Sequence, residues 1–101
     1  MNGIHIEAPK EKLAEFCKKH HIAMLSFFGS VLRDDFTPES DIDVLVQFEP
    51  GRAPGLIRLS GMEIELSNIL GRKVDMNTPR SISGYFRDKV MREAMVQYAA
   101  V

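Results

Sequence analysis

Cysteine is nearly missing from this sequence. Its 101 residues hold one, Cys17, so no internal disulfide can form and a reducing, cytoplasmic setting is expected. An excess of positive charge is missing too. Lys and Arg total 13 against 14 Asp and Glu, a formal net charge of -1, which removes the electrostatic mark of a nucleic-acid or membrane-surface binder. No apolar run approaches the ~20 residues of a membrane span. The opening Met1-Asn2-Gly3-Ile4-His5 has neither the basic nor the apolar block of a signal peptide. There is no internal repeat and no low-complexity tract. Proline and glycine gather in Pro50-Gly51-Arg52-Ala53-Pro54-Gly55 and in Thr78-Pro79, which read as connections rather than linkers. What remains is 45% hydrophobic and 27% charged, an ordinary globular balance. A chain of this length buries roughly 60–70% of the surface its unfolded form exposes, enough for one core. A single domain over residues 1–101 is expected.

Periodicity divides the chain into seven elements. A helix is expected over 9–20, with Pro9 in its first turn and Leu13, Phe16, Cys17 and His20 on one face. The nearly unbroken apolar run 22–28 is too short for a helix, is bounded by Gly29, and reads as a strand buried on both faces. Ser30 can cap a short helix through Asp35. Residues 41–48 alternate, with Ile42, Val44, Val46 and Phe48 on one side and Asp41, Asp43 and Gln47 on the other. Residues 56–70 carry a helical stripe of Leu56, Leu59, Met62, Leu66 and Ile69 and stop at Gly71. A third strand is expected over 72–77, Val74 and Met76 inward and Asp75 opposite. A last helix is expected over 84–99 with Phe86, Val90, Ala94 and Tyr98 as its stripe, broadened by Met91 and Met95. The order α-β-α-β-α-β-α predicts an α/β (α+β) fold, a small mixed three-stranded sheet with flanking helices.

The chemistry concentrates in Gly29-Ser30-Val31-Leu32-Arg33 and Ser40-Asp41-Ile42-Asp43. Residues two apart on a strand project from the same face, ~6.5 Å apart. Asp41 and Asp43 therefore stand side by side and repel unless a cation lies between them. Two divalent ions ~3.5–4 Å apart, bridged by carboxylates, fit that geometry and serve phosphoryl and nucleotidyl transfer; hard oxygen ligands suit Mg²⁺. Taken alone, Asp-x-Asp is more often a turn with a solvated face, and Gly-Ser more often a turn than a phosphate site. The combination is sharper. A glycine after a buried strand admits close approach to the backbone, and a helix N-terminus offers free N–H groups to a phosphate. For Gly29 and Asp41 to serve one triphosphate, the first two strands must run antiparallel. The helix between the second and third strands makes those two parallel. Asp75 then falls beside Asp43, three carboxylates surround one cleft, and Arg33 can aim its guanidinium at a phosphate.

Gly29-Ser30, ten residues, Asp41-x-Asp43, and Asp75 within Lys73-Val74-Asp75-Met76 resemble the signature of the polymerase β-like nucleotidyltransferase superfamily. The short chain points within it to the minimal nucleotidyltransferases, the MntA-type antitoxin family. Val90-Met91-Arg92-Glu93-Ala94 followed by Tyr98 is similar to that family's closing helix. The resemblance implies the polymerase β-like fold and a Mg²⁺-dependent transfer of a nucleotide from ATP or another NTP. Catalytic Asp41, Asp43 and Asp75 would hold the metals, two Mg²⁺ ions. Gly29, Ser30 and Arg33 would bind the nucleotide. Asp34-Asp35 departs from the family, where a glycine commonly follows the arginine. The resemblance also implies a partner, a helical HEPN-domain toxin that receives AMP on a tyrosine, with this chain as antitoxin. Two other readings stay open. One is a nucleotide-binding module that neutralises its partner by contact without catalysis; the other is nucleotidyl transfer to a small molecule. No membrane and no direct nucleic-acid binding are expected, and a homo-oligomer through the Met-rich last helix is open.

Other residues read as structural. Cys17 and His20 lack the further ligands a zinc site needs. Glu63 and Glu65 do not share a helix face. Arg52, Arg58, Arg72, Arg80 and Arg87 are scattered and read as solvated, with Arg80 and Arg87 candidates for the cleft edge.

Overall fold

A computed structural model describes residues 9–32, 37 and 39–100. Helix α1 (Lys10–Lys19) leads into strand β1 (Ile22–Phe28), followed by a 3₁₀ turn over Gly29–Leu32. Strand β2 (Ile42–Phe48), helix α2 (Leu56–Leu70) and strand β3 (Val74–Asn77) come next, then helix α3 (Gly84–Glu93) and strand β4 (Met95–Ala99). Pro9 is the residue before α1 rather than inside it, and its carbonyl accepts from the Leu13 N–H at 3.0 Å.

The sheet has four strands in the order β3-β2-β1-β4. β1 is antiparallel to β2 and to β4, and β2 is parallel to β3. The antiparallel and parallel pairings expected of the first three strands are present. The three-stranded sheet is corrected to four, and the last helix, expected to reach residue 99, ends at Glu93. Ala94 is extended at ψ 138, and the chain turns back to pair Met95 with Phe27 and Tyr98 with Leu25. Without β4, the backbone groups along one side of the most buried strand would lack partners, a cost far above any local helix preference. Ala94 and Tyr98, four residues apart, satisfy helical and strand spacing equally, which is why the stripe misleads.

One face of the sheet carries the core. Ile22, Leu25 and Phe27 of β1 and Ile42, Val44 and Val46 of β2 pack with Val74 and Met76 under Leu13, Phe16 and Cys17 of α1 and Met62, Leu66 and Leu70 of α2. Of the expected α2 stripe, Met62 and Leu66 are buried and Leu59 and Ile69 pack against the core, whereas Leu56 is 83% exposed and Leu70 is buried in its stead. α2 stops at Gly71, whose φ of 69° is the left-handed conformation that lets Arg72 N–H bond back to the Ser67 carbonyl at 3.2 Å. No residue of α3 is buried.

The outer edge of β3 is closed by α2 rather than by another strand. Val74 N–H donates to Ser67 Oγ at 3.0 Å and Met76 N–H donates to a Glu63 carboxylate oxygen at 2.7 Å. These bonds occupy donors that would otherwise template edge pairing, and they fix the height of Asp75 between them.

Candidate active site

The opposite face of the sheet carries the polar row. Phe28 pairs with Asp43, and Asp43 pairs with Asp75, in register. In-register neighbours on parallel strands project to the same side, ~4.8 Å apart along the hydrogen-bonding direction. Asp75 is exposed, whereas Asp43 is half-buried. Asp41 stands just before β2 with its side chain 46% exposed and its Oδ2 3.9 Å from Lys73 Nζ.

Gly29 shows why this position has no side chain. Its φ is 77°, and a Cβ there would collide with the Asp43 carboxylate, lying 3.1 Å from Asp43 Cγ and 3.3 Å from its Cβ. The Asp43 carboxylate is seated against the backbone at the end of β1. The turn that follows is a 3₁₀ segment over Gly29–Leu32; the remainder of the short helix expected through Asp35 falls outside the described residues. The N–H groups of this turn are what it can offer an anion. The backbone of Ser30 lies in this turn; Arg33, Asp34 and Asp35 lie outside the described residues.

Gly29 and Asp43 share a cavity of about 280 Å³ with Phe28 and with Phe86, Lys89, Val90 and Glu93 of α3. Asp41 and Asp75 flank it without lining it. Among the described residues, no three His, Cys, Asp or Glu side chains are grouped closely enough to hold a metal. Of the three carboxylates expected around one cleft, Asp43 lines the cavity, Asp75 lies beside it in register and Asp41 stands at the strand entrance, and the three are not grouped. The donors are hard oxygens on adjacent strands, the chemistry a divalent cation takes, and in this respect the residues fit the ion.

Sequence reasoning missed Lys89 and Glu93. Phe86, Lys89, Val90 and Glu93 recur at three- and four-residue spacing, so the signal was there, but the stripe was read through its apolar members alone. The arginines also differ from expectation. Arg72 is half-buried, and its guanidinium donates to the carbonyls of Thr37 at 2.6 Å and Ser40 at 3.2 Å, tying the segment before Asp41 to the start of β3. Arg87 donates to the carbonyls of Pro79 at 2.7 Å and Ile82 at 3.1 Å and so pins the connection from β3 to α3. Arg80 lines a separate cavity with Thr78 and Phe48. Neither Arg80 nor Arg87 borders the Asp43 cavity.

Cys17 and His20 have structural partners. Burial pushes the Cys17 thiol up to about 12, and His20 Nε2 lies 2.9 Å from Glu65 Oε1. That hydrogen bond, with Lys19 at 3.1 Å, holds the Glu65 carboxyl below the usual range.

The sequence profile of the nucleotidyltransferase domain matches residues 10–96, the whole span from α1 into β4. The chain belongs to the nucleotidyltransferase domain family. Within it, the resemblance is to the minimal nucleotidyltransferases of the MntA type. A Methanocaldococcus jannaschii protein provisionally named protein adenylyltransferase MJ0435 is 35% identical over 92 residues, 91% of this chain and 97% of its own. Protein adenylyltransferase MntA of Thermococcus cleftensis is 30% identical over 90 residues, 89% of this chain and 86% of its own. A solved structure provisionally described as a minimal nucleotidyltransferase superposes with a TM-score of 0.70 at 34% identity, covering 85% of this chain and 86% of that one. The fold also recurs, at 19% identity and a TM-score of 0.65, in a complex of MNT antitoxin with a tri-AMPylated HEPN toxin from Shewanella oneidensis, over 90% of this chain and 70% of that one. No helix among the described residues of this nucleotidyltransferase is long and apolar enough to cross a membrane.

Proposed function

We propose that this nucleotidyltransferase transfers AMP from ATP to a hydroxyl, a tyrosine, of a HEPN-type protein partner, and acts as the antitoxin of that pair in the cytoplasm. The observation that carries the proposal is the register of the sheet. It puts Asp43 beside Asp75, with Gly29 shaped to receive the Asp43 carboxylate, at the mouth of a cavity that also contains Lys89. The names of the relatives and the Shewanella complex support the acceptor class.

Asp41, Asp43 and Asp75 would hold two Mg²⁺ ions, the number used in two-metal phosphoryl transfer. When bound, such ions lower the pKa of the acceptor hydroxyl and neutralise phosphate charge. The chain's own residues do the rest. The N–H groups of Gly29 and Ser30 donate to phosphate oxygens, Arg33 adds its guanidinium, and Lys89 contributes a point charge from α3 to the developing negative charge. Arg72 and the α2 bonds to β3 hold the two acidic strands in register, which is where positioning enters the rate.

At about 280 Å³ the cavity falls just below the ~300 Å³ lower limit of small-molecule sites. It is sized for part of a nucleotide, which leaves the acceptor and the rest of the enclosure to the partner. The test is the intact mass of a HEPN-type partner after incubation with this chain, ATP and Mg²⁺. An AMP-sized increment that disappears with Asp41→Ala/Asp43→Ala supports the proposal. A partner that stays unmodified yet binds both versions tightly supports neutralisation by contact alone, and turnover of a hydroxylated metabolite by the isolated chain supports transfer to a small molecule.

A further inference from the structure

A second cavity lies at the other end of the sheet. The central strands begin and end in opposite senses, so Phe28 and Asp43 mark one end while Ile22 and Phe48 mark the other. The intervening strand steps put the two ends roughly 20 Å apart. Just before Ile22 come His20 and His21, and just after Phe48 comes the connection 49–55. Between them and α2 is a cavity of about 290 Å³ lined by His20, His21, Arg52, Arg58, Pro54 and Met62, with Gly51 and Ala53 completing the wall. Four of these side chains are cationic or can become so, and no Asp or Glu lines it.

Like charges gathered around a concavity repel unless an anion joins them; Glu65 offsets His20 from behind, and no ion pair among the described residues offsets the two arginines. The guanidiniums of Arg52 and Arg58 have no hydrogen bond or ion pair among the described residues. The His20 ring gives Nε2 to Glu65, but its Nδ1 is buried without a hydrogen-bond partner among the described residues. His21 adopts a φ of 58°, a conformation that costs a non-glycine residue ~1–2 kcal/mol and that places two consecutive histidines on the wall. Finally, α2 starts beside the cavity and lines it through Arg58 and Met62. Gly55 precedes it with no side-chain cap, and its first turn holds no acidic residue, so the free N–H groups and positive dipole end of a 15-residue helix add to the field.

We infer that this cavity binds a small phosphate-bearing anion, of phosphate to pyrophosphate size, held by Arg52, Arg58 and the N-terminal amides of α2. The site is independent of the Asp43 cavity and does not require the proposed transfer reaction. A formal net charge of -1 and the carboxylate of Glu65 behind His20 fit a compact anion better than an extended polyanion, which needs a continuous basic stripe.

The test is a titration of the full ¹⁵N-labelled chain with inorganic pyrophosphate in EDTA, read by amide and histidine-ring NMR. The expected result is saturable shifts at residues 51–58 and at the rings of His20 and His21, with affinity about tenfold or more weaker in Arg52→Ala/Arg58→Ala. Both arginines are exposed, so the variant's spectrum elsewhere should match the parent's, and Arg58→Glu alone should also abolish saturation. Three results would overturn the inference: shifts confined to Gly29 and Asp43, the same affinity in the variants, or a short oligouridylate that binds these amides more tightly than pyrophosphate.

Discussion

Gly29→Ala probes the arrangement that seats Asp43. A Cβ at φ 77° costs ~1–2 kcal/mol from the left-handed backbone. Loss of unfolded-chain entropy returns about 0.4–1 kcal/mol of that, leaving ~1 kcal/mol. Gly71 is the control: its φ is 69°, and a Cβ there meets nothing within 4 Å, so Gly71→Ala should cost that ~1 kcal/mol alone. At Gly29 the Asp43 side chain must also leave its rotamer, a further ~0.5–1.5 kcal/mol. Urea unfolding with unchanged m-values measures the difference. In an Asp43→Ala background the two nearest colliding atoms are gone and only the Cβ at 3.3 Å remains. The Gly29→Ala penalty should then fall toward the Gly71 value, giving a coupling of ~0.5–1.5 kcal/mol in a double-mutant cycle. Transfer should fall far more than stability, about a hundredfold, because the displaced carboxylate is a proposed metal ligand. A coupling below ~0.3 kcal/mol, with transfer within twofold of the parent, would refute the reasoning.

Other expectations follow from the same contacts. Lys89→Ala should weaken ATP binding about tenfold or more by removing the cation that lines the proposed nucleotide cavity, with the unfolding midpoint unchanged, as measured by calorimetric titration and thermal unfolding. Glu63→Ala should cost ~1–2 kcal/mol, since it orphans the Met76 N–H on the sheet edge, and hydrogen exchange of that amide should accelerate. Cys17 should resist iodoacetamide at neutral pH until the chain unfolds, because its thiol is buried and titrates near 12. Glu65→Gln should lower stability by ~0.5–1.5 kcal/mol above about pH 5, the range of a single hydrogen bond to a partly buried partner. Because the folded carboxyl titrates below its usual range, its contribution is present above the unfolded pKa and is lost as pH falls through the folded one. The two unfolding curves should converge in acid.

The parts of the fold that periodicity could reach were those whose burial follows one period. β2 reads directly from its alternation, α2 ends where Gly71 demands, and the antiparallel and parallel pairings follow from where Gly29, Asp41 and the α2 crossover must lie. β4 was not legible, because residues four apart fit both periods and the deciding fact, an open edge on β1, is tertiary. The same limit applies to the site. The positions of Asp43 and Asp75 in adjacent strands could be reasoned from topology, but Lys89 and Glu93 enter only because α3 lines the cavity at the end of β1 and the start of β2. Arg72 and Arg87 looked solvated because the carbonyls they bind come from segments whose shape no local pattern fixes. Val74 N–H and Met76 N–H finding α2 side chains is likewise invisible to strand propensity, which says nothing of what closes an edge.

The central claim is that the Asp43–Asp75 pair, held in register by β2 and β3, carries nucleotidyl transfer. The most direct test is the rate of pyrophosphate release and partner labelling from ATP and Mg²⁺ by Asp43→Asn and Asp75→Asn, each isosteric with the parent. The account predicts that both variants lose about a hundredfold or more while keeping the parent's unfolding midpoint within ~0.5 kcal/mol. Full-rate transfer by either variant would contradict it.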